Sequence, residues 1–227
     1  MDARMPSILF EDAWLLALDK PAGLIVHGDG TGAETLLDLA RAMLAGRGED
    51  ASGLQPLQRL DRDTTGIVLL SKRKEAQPRF DALIAERRIE KRYLAIVSGR
   101  FPQSPQTYRG PIGRDRHDSR RMRVSRTGKP ALTRARLAAF APADIAGPAR
   151  SLLDVDLLTG RKHQIRVHLS HAGLPILGDA LYGGAHAPGG LMLHAAEERF
   201  AHPFTGEPVC IRAPYPSRFE ALFPRGR

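Results

Sequence analysis

Residues 67–70, the apolar run IVLL entered through the polar stretch DRDTTG, constrain the fold more than any other part of the chain. A short apolar run that is β-branched at its start and bounded by turn residues reads as a buried strand. The Asp, Thr and Gly residues ahead of it favour local side-chain hydrogen bonds and open backbone angles. Residues 59–65 are therefore expected on a loop at a strand end, where scaffolds present reactive groups. In that loop Asp61 stands between Arg59 and Arg62. Neighbouring guanidiniums favour an ionised carboxylate, which suits a nucleophile or an electrostatic stabiliser better than a general acid. A surface ion pair beside a turn is the plain alternative for this peptide alone.

Other short apolar runs follow the same pattern. Residues 14–18 read as a strand, residues 19–23 (DKPAG) as a turn, and residues 24–26 as a resumed strand. Residues 27–32 (HGDGTG) lead into a helix over 34–44, where Leu36, Leu37, Ala40 and Leu44 recur at helical spacing. A strand, a glycine-rich loop and a helix could cradle a nucleotide cofactor, which makes a Rossmann-type RNA methyltransferase using S-adenosylmethionine the alternative reading. Ala33 falls where that fingerprint needs its third glycine, and no regular βαβ alternation follows. Residues 75–88 read as an amphipathic helix, with Tyr93 opening the strand over 94–97. Strands are expected over 131–139 and 151–158, joined by a Pro/Gly/Ala-rich connector over 141–149. Short strands over 191–194, 200–204 and 208–213 alternate with turns to the end.

Charge narrows the class of partner. Lys and Arg number 34 against 25 Asp and Glu, a net charge of +9 that points to a polyanion. Aromatic residues are only 6% of the chain, too few for an extended base-stacking platform. Residues 109–129 are the most basic stretch, with eight Lys and Arg, three glycines and no hydrophobic periodicity. This stretch reads as a phosphate-gripping arm, with Arg120, Arg121, Arg123 and Lys129 among its candidate contacts. The single cysteine, Cys210, excludes an intramolecular disulfide and a multi-cysteine zinc site and fits a reducing cytoplasm. Residues 1–12 carry acidic residues and no long apolar core, unlike a signal peptide. Nothing approaches the roughly 20 apolar residues of a membrane helix.

In residues 157–169 (LLTGRKHQIRVHL), Gly160 ends a strand, and Ile165, Leu169 and Ala172 form an apolar stripe on a helix that stops at Gly173. Arg161 lies near the start of that helix, where a cation opposes the helix dipole by roughly 0.3 to 1 kcal/mol, so a compensating anion such as Asp61 is expected. His163 and His168 are five apart and lack the H-E-x-x-H pattern, so a metal site is not expected.

Taken together these stretches resemble the RluA-type family of pseudouridine synthases. Residues 58–72 (QRLDRDTTGIVLLSK) resemble the family's H-R-L-D-x-x-T-S-G segment, with Asp61 at the catalytic aspartate. Lys20-Pro21-Ala22-Gly23 matches the early K-P-x-G motif, Lys91-Arg92-Tyr93 the K-x-Y motif, and residues 160–169 the G-R-T-H-Q-I-R-x-H-L motif. Residues 175–183 and 193–216 are similar in kind. Gln58, Thr65 and Lys162 depart from the usual His, Ser and Thr, and none of these changes removes a proposed catalytic group.

The resemblance implies an α+β fold: a single catalytic domain over residues 1–227, with a central mixed or antiparallel sheet flanked by helices and loops around a catalytic cleft. It also implies a chain without the small S4 RNA-binding module. The implied activity is isomerisation of uridine to pseudouridine in tRNA, ribosomal RNA or both, by a cytoplasmic monomer that uses neither cofactor nor metal. In that scheme Asp61 is the nucleophile, Arg161 its counter-ion, and Tyr93 stacks on a base flipped out of the helix. Arg59 would fill the space left behind, while Arg62 and Arg166 join the arm as candidate phosphate contacts. Three rivals fit less well. A non-catalytic RNA binder has no need of an aspartate set among arginines, a zinc deaminase needs an H-x-E and C-x-x-C set that is absent, and an RNA glycosidase, which would need two cooperating carboxylates such as Asp61 and nearby Asp63, would leave an abasic site.

Overall fold

The structure, a computed structural model, describes residues 5–28, 30, 32–143 and 147–225. Residues 1–4 of the N-terminal stretch, Asp29 and Thr31 of the glycine-rich loop, and 144–146 of the connector lie outside the described residues. In chain order the elements begin with β1 (Ser7–Glu11), β2 (Leu15–Lys20), α1 (Leu36–Ala45), β3 (Gln55–Pro56), β4 (Thr65–Ser71) and α2 (Gln77–Ala85). Next come β5 (Glu90–Ser98), β6 (Gln106–Tyr108), β7 (Ile112–Arg114), β8 (Met122–Val124), β9 (Thr133–Ala141) and β10 (Arg150–Leu157). The chain closes with α3 (Gln164–His171), a 3-10 turn (Ala180–Tyr182), β11 (Leu193–Ala201), β12 (Pro208–Arg212) and α4 (Ser217–Glu220). Two compact units result, Met1–Glu90 with Ala195–Pro214, and Lys91–His194 with Tyr215–Arg227.

The first unit is built on the strand order β1-β2-β4-β11, with β12 added to β11 and β3 to β4. All seven residues of β4 are buried, which is why its sequence is an unbroken apolar run rather than an alternation. On one face Leu15, Ala17, Ile67 and Leu69 pack with Phe80 and Leu83 of α2 and with Phe200 and Ile211. Each such Leu, Ile or Phe side chain contributes roughly 1.5–3 kcal/mol by leaving water. Leu16, Leu18, Val68 and Leu70 are equally buried on the opposite face. On the exposed side of β12, Cys210 sits opposite Arg199 of β11.

The second unit carries the antiparallel order β5-β10-β9-β6 and a separate β7–β8 hairpin. The hairpin spans the basic stretch. Ile112, Met122 and Val124 pack with Ala131, Val167 and Tyr182, so one face of the ribbon is anchored, while Arg123 alternates to the other. Gly128 is a fixed point of this anchorage, because a Cβ there would lie 2.5 Å from the Ile112 carbonyl carbon.

The α+β class read from the sequence is the one observed, and several elements differ in extent. Residues 24–26 form an isolated bridge, Ile25 with Thr35, instead of a strand, because the Lys20 side chain folds residues 21–24 into a turn. The second helix stops at Ala85. Arg87 is left-handed (φ 58°) and the Arg88 amide donates to the Leu83 carbonyl at 2.9 Å, a Schellman stop without its usual glycine. Tyr93 lies inside β5, which opens at Glu90. The two short strands expected over 191–194 and 200–204 are one strand, β11, followed by a turn at His202 whose Nδ1 accepts from the Phe204 and Thr205 amides. The polar centre of β11 hid it: Glu197 is paired with Arg199 and Arg212, and Glu198 is buried.

Candidate active site

Asp61 opens the turn that leads into β4. Its carbonyl accepts the Thr64 amide at 3.1 Å, its side chain is half-buried, and Arg59 and Arg62 on either side are exposed. The turn is fixed on its downstream side by Lys20, which is fully buried. The Lys20 ammonium donates to the carbonyls of Pro21 (2.9 Å), Leu24 (2.7 Å) and Arg62 (2.8 Å). A buried ammonium needs such partners, since three donors without acceptors would cost several kcal/mol. The K-P-A-G turn is clipped to Arg62 twice more, by Gly23 N–H to the Arg62 carbonyl (3.0 Å) and by Arg62 Nε to the Gly23 carbonyl (3.1 Å). Upstream, Gln58 donates to the Glu198 carboxylate at 2.5 Å. Beyond the turn Gly66 takes φ 106°, and a Cβ there would stand 2.1 Å from the Ala195 carbonyl oxygen, so only glycine lets β4 and β11 approach. Asp61 is thus presented by a backbone held from both sides.

In the second unit, Tyr93 is buried in β5 opposite Val155, next to an Arg92 that chelates Asp154. The α3 helix begins after His163, a non-glycine residue in the left-handed region (φ 56°, ψ 20°). Gln164 ties the helix start down: its Oε1 accepts from Thr159 Oγ1 (2.7 Å) and the Arg161 amide (3.1 Å), and its Nε2 donates to the Leu132 carbonyl (3.0 Å) and Thr133 Oγ1 (2.9 Å). The Arg161 guanidinium donates to the Pro130 carbonyl at 3.0 Å, at the foot of the arm. Arg166, one turn into the helix, is buried and chelated by the buried Asp179 through Nε (2.8 Å) and Nη2 (2.9 Å). Its guanidinium also lies 5.0 Å from the Tyr182 ring centre.

His168 bridges the Thr133 hydroxyl (Nδ1, 2.9 Å) and the Gly110 carbonyl (Nε2, 2.9 Å). A carbonyl only accepts, so Nε2 carries the proton. Burial holds the imidazole below its ordinary value, outweighing the Gly110 carbonyl. Among the described residues no cluster of three or more His, Cys, Asp or Glu could hold a metal ion. In the arm, the Arg120 side chain drives Asp118 down to about 2.

A sequence profile described as RNA pseudouridylate synthase matches residues 14–171. The chain belongs to the RNA pseudouridine synthase family. It is 36% identical over 217 residues to an uncharacterized RNA pseudouridine synthase of Bacillus subtilis (strain 168), covering 95% of this chain and 70% of the relative. Over 223 residues it is 36% identical to the ribosomal large subunit pseudouridine synthase C of Vibrio vulnificus (strain CMCP6), covering 95% and 67%. The human RNA Pseudouridylate Synthase Domain Containing 1 structure matches with a TM-score of 0.79 at 28% identity, over 95% of this chain and 86% of that one. This protein is therefore an RNA pseudouridine synthase, an isomerase whose substrate class is RNA.

Within the synthase, Arg59, Asp61 and Arg62 share the turn of the first unit, and Tyr93, Arg161, Arg166 and the arm belong to the second. Arg123 and Lys129 are exposed. Arg120 is exposed but forked onto Asp118, and Arg121 lies 5.3 Å from the Tyr182 ring centre. The burial of Arg166 and its fork onto Asp179 make it a poor grip for a backbone phosphate. Among the described residues, the start of α1 offers no phosphate cradle. The α1 amides of Leu36 and Leu37 are taken by the Ile25 and Val26 carbonyls, and Thr35 and Asp38 close a capping box, so no donors remain there for a phosphate. Lys20, Asp179 and Tyr182 are the residues whose weight the sequence understated. Their one signal was position, each beside a Pro/Gly turn inside a motif.

Proposed function

We propose that Asp61 is the nucleophile of this synthase, and that Tyr93 and a guanidinium of the 161–166 segment serve the same uridine. Residues 1–227 act as one catalytic domain, as a cytoplasmic monomer, on tRNA or ribosomal RNA. The observation that carries the assignment is the backbone of the Asp61 turn, fixed by Lys20 and Gln58. A nucleophile gains from such fixing because orientation is set before the substrate arrives.

In the reaction the N-glycosidic bond breaks, the uracil turns, and its C5 bonds to ribose C1′. C5 then loses its proton, while N1 gains one. Asp61 attacks either C1′, displacing N1 and later being displaced by C5, or C6, from which the carboxylate is expelled once the new C–C bond has formed. Tyr93 stacks on the base and takes part in removing the C5 proton. No step calls for a cofactor or metal. Since the glycosidic bond is shielded in a stacked helix, the uridine is flipped out and Arg59 occupies its place.

Two arginines are offered as the counter-ion of Asp61. Arg161 follows from its place near the helix start. Arg166 is favoured by burial and by its two-point seat on Asp179, which fix the direction of its charge. Arg161 then joins Arg62, Arg123 and Lys129 as a phosphate contact at the foot of the arm.

The test is RNA tritiated at uracil C5. The synthase should release tritium without added cofactor, and Asp61→Asn should lower release by at least about 10⁴-fold while RNA binding persists. Release that requires S-adenosylmethionine would favour a methyltransferase. Arg166→Lys should cost far more turnover than Arg161→Lys, and the reverse result returns the counter-ion role to Arg161. Chemical mapping of pseudouridines in cells with and without the gene identifies the RNA and the uridine.

A further inference from the structure

Tyr182 is buried, and no step of the isomerisation uses it. Its hydroxyl lies 2.8 Å from the Met122 amide at the start of β8 and 2.7 Å from His163 Nδ1. The amide can only donate, so the tyrosine oxygen accepts there, and the same hydroxyl is hydrogen-bonded to His163 Nδ1, in the direction the imidazole tautomer sets. That imidazole belongs to a residue held in the left-handed region (φ 56°), a backbone state that a non-glycine residue keeps only where its surroundings over-determine it.

The ring of Tyr182 does a second job. Arg166 and Arg121 both approach it, at 5.0 and 5.3 Å from its centre, within cation–π range. The same short segment supplies Asp179, which forks Arg166 and whose Oδ1 also accepts the Tyr182 amide at 3.3 Å. This segment is locked at both ends: a Cβ on Gly178 would stand 2.0 Å from the Gly190 carbonyl oxygen, and one on Gly184 1.9 Å from that of Ile176. Tyr182 therefore stands on a rigid base.

We propose that Tyr182 is a positioning residue that ties the loop end of the β7–β8 hairpin in the basic arm to the guanidinium of Arg166, the hydroxyl holding β8 and the ring supporting the arginine. Arm placement on RNA and the direction of the Arg166 charge are then set by one side chain. The link between the two rests on the reading of Arg166 given above, while the hold on the arm stands without it.

The experiment separates ring from hydroxyl. Tyr182→Phe keeps the ring and loses the hydroxyl, and Tyr182→Leu loses both. With bulk tRNA and transcribed large-subunit ribosomal RNA, both tritiated at uracil C5, the Phe variant should raise KM about three- to tenfold with kcat within about twofold, the effect of one lost buried hydrogen bond. The Leu variant should lower kcat more than tenfold in addition. His163→Gly, which suits the left-handed backbone, should reproduce the KM defect of the Phe variant. Hydrogen–deuterium exchange over residues 112–124 should quicken in the Phe and Gly variants, and this readout needs no turnover. A Phe variant with wild-type KM and wild-type exchange overturns the proposal, as do Phe and Leu variants with equal kcat. If the Leu variant fails to fold, Phe and Gly decide the hold on the arm by exchange and KM. Wild-type protein that releases no tritium from either RNA would sink the functional reading, and the exchange comparison would still judge the hold on the arm.

Discussion

At the scale of single residues, Lys20 shows how a charge can serve a site without touching substrate. Lys20→Met would leave three carbonyls without their donor, and it is expected to lower stability by about 2–4 kcal/mol, read as a fall in melting temperature. His168 gives a pH signature with a definite sign. Its folded-state value is depressed, so as pH falls below the ordinary imidazole value of about 6.5 the unfolded chain takes the proton first. Its contribution to stability is present above that pH and lost as pH drops toward the folded value. Chemical denaturation between about pH 7 and 5 should show this loss in the wild type and a shallower one in His168→Gln. The turn that carries Asp61 was legible in the sequence, because Asp, Thr and Gly lead directly into an unbroken apolar run. The preference for Arg166 over Arg161 was not legible. The left-handed residue at 163 resets the helix phase, and no periodicity argument places the side chains on either side of it.

Among the elements, β4 was readable from its unbroken apolar run and β11 was not, because charges at its centre imitate a turn. The glycine that admits β11 beside β4 is the sharpest test of this pairing. Gly66→Ala should unfold or destabilise the first unit by more than about 4 kcal/mol, since the clash is with backbone and cannot be relieved by a rotamer change. Soluble yield and the midpoint of urea unfolding would measure it, and a variant with wild-type stability would contradict the register. The arm was legible as a basic stretch and illegible as a hairpin. Its anchoring residues Ile112, Met122 and Val124 alternate over only three positions per strand, too short a pattern to stand out among arginines.

For the molecule as a whole, the charge of +9 makes RNA affinity depend on salt, with the logarithmic slope falling by about 0.7–0.9 for each phosphate engaged. Arg123→Ala should reduce that slope by about one, as expected of an exposed cation. Arg120→Ala should leave it nearly unchanged, because Asp118 already occupies that guanidinium. Filter binding across a salt series distinguishes the two, and equal slopes would mean that the arm does not act as drawn. The sequence supplied the α+β class, the family and the order of the motifs. The division into two compact units was hidden, since the first is completed by residues 195–214, far along the chain. One further consequence follows from Cys210, the only sulfhydryl in 227 residues, which lies open to solvent on β12. A maleimide fluorophore would attach there at unit stoichiometry, providing an optical reporter of RNA capture without any engineered substitution.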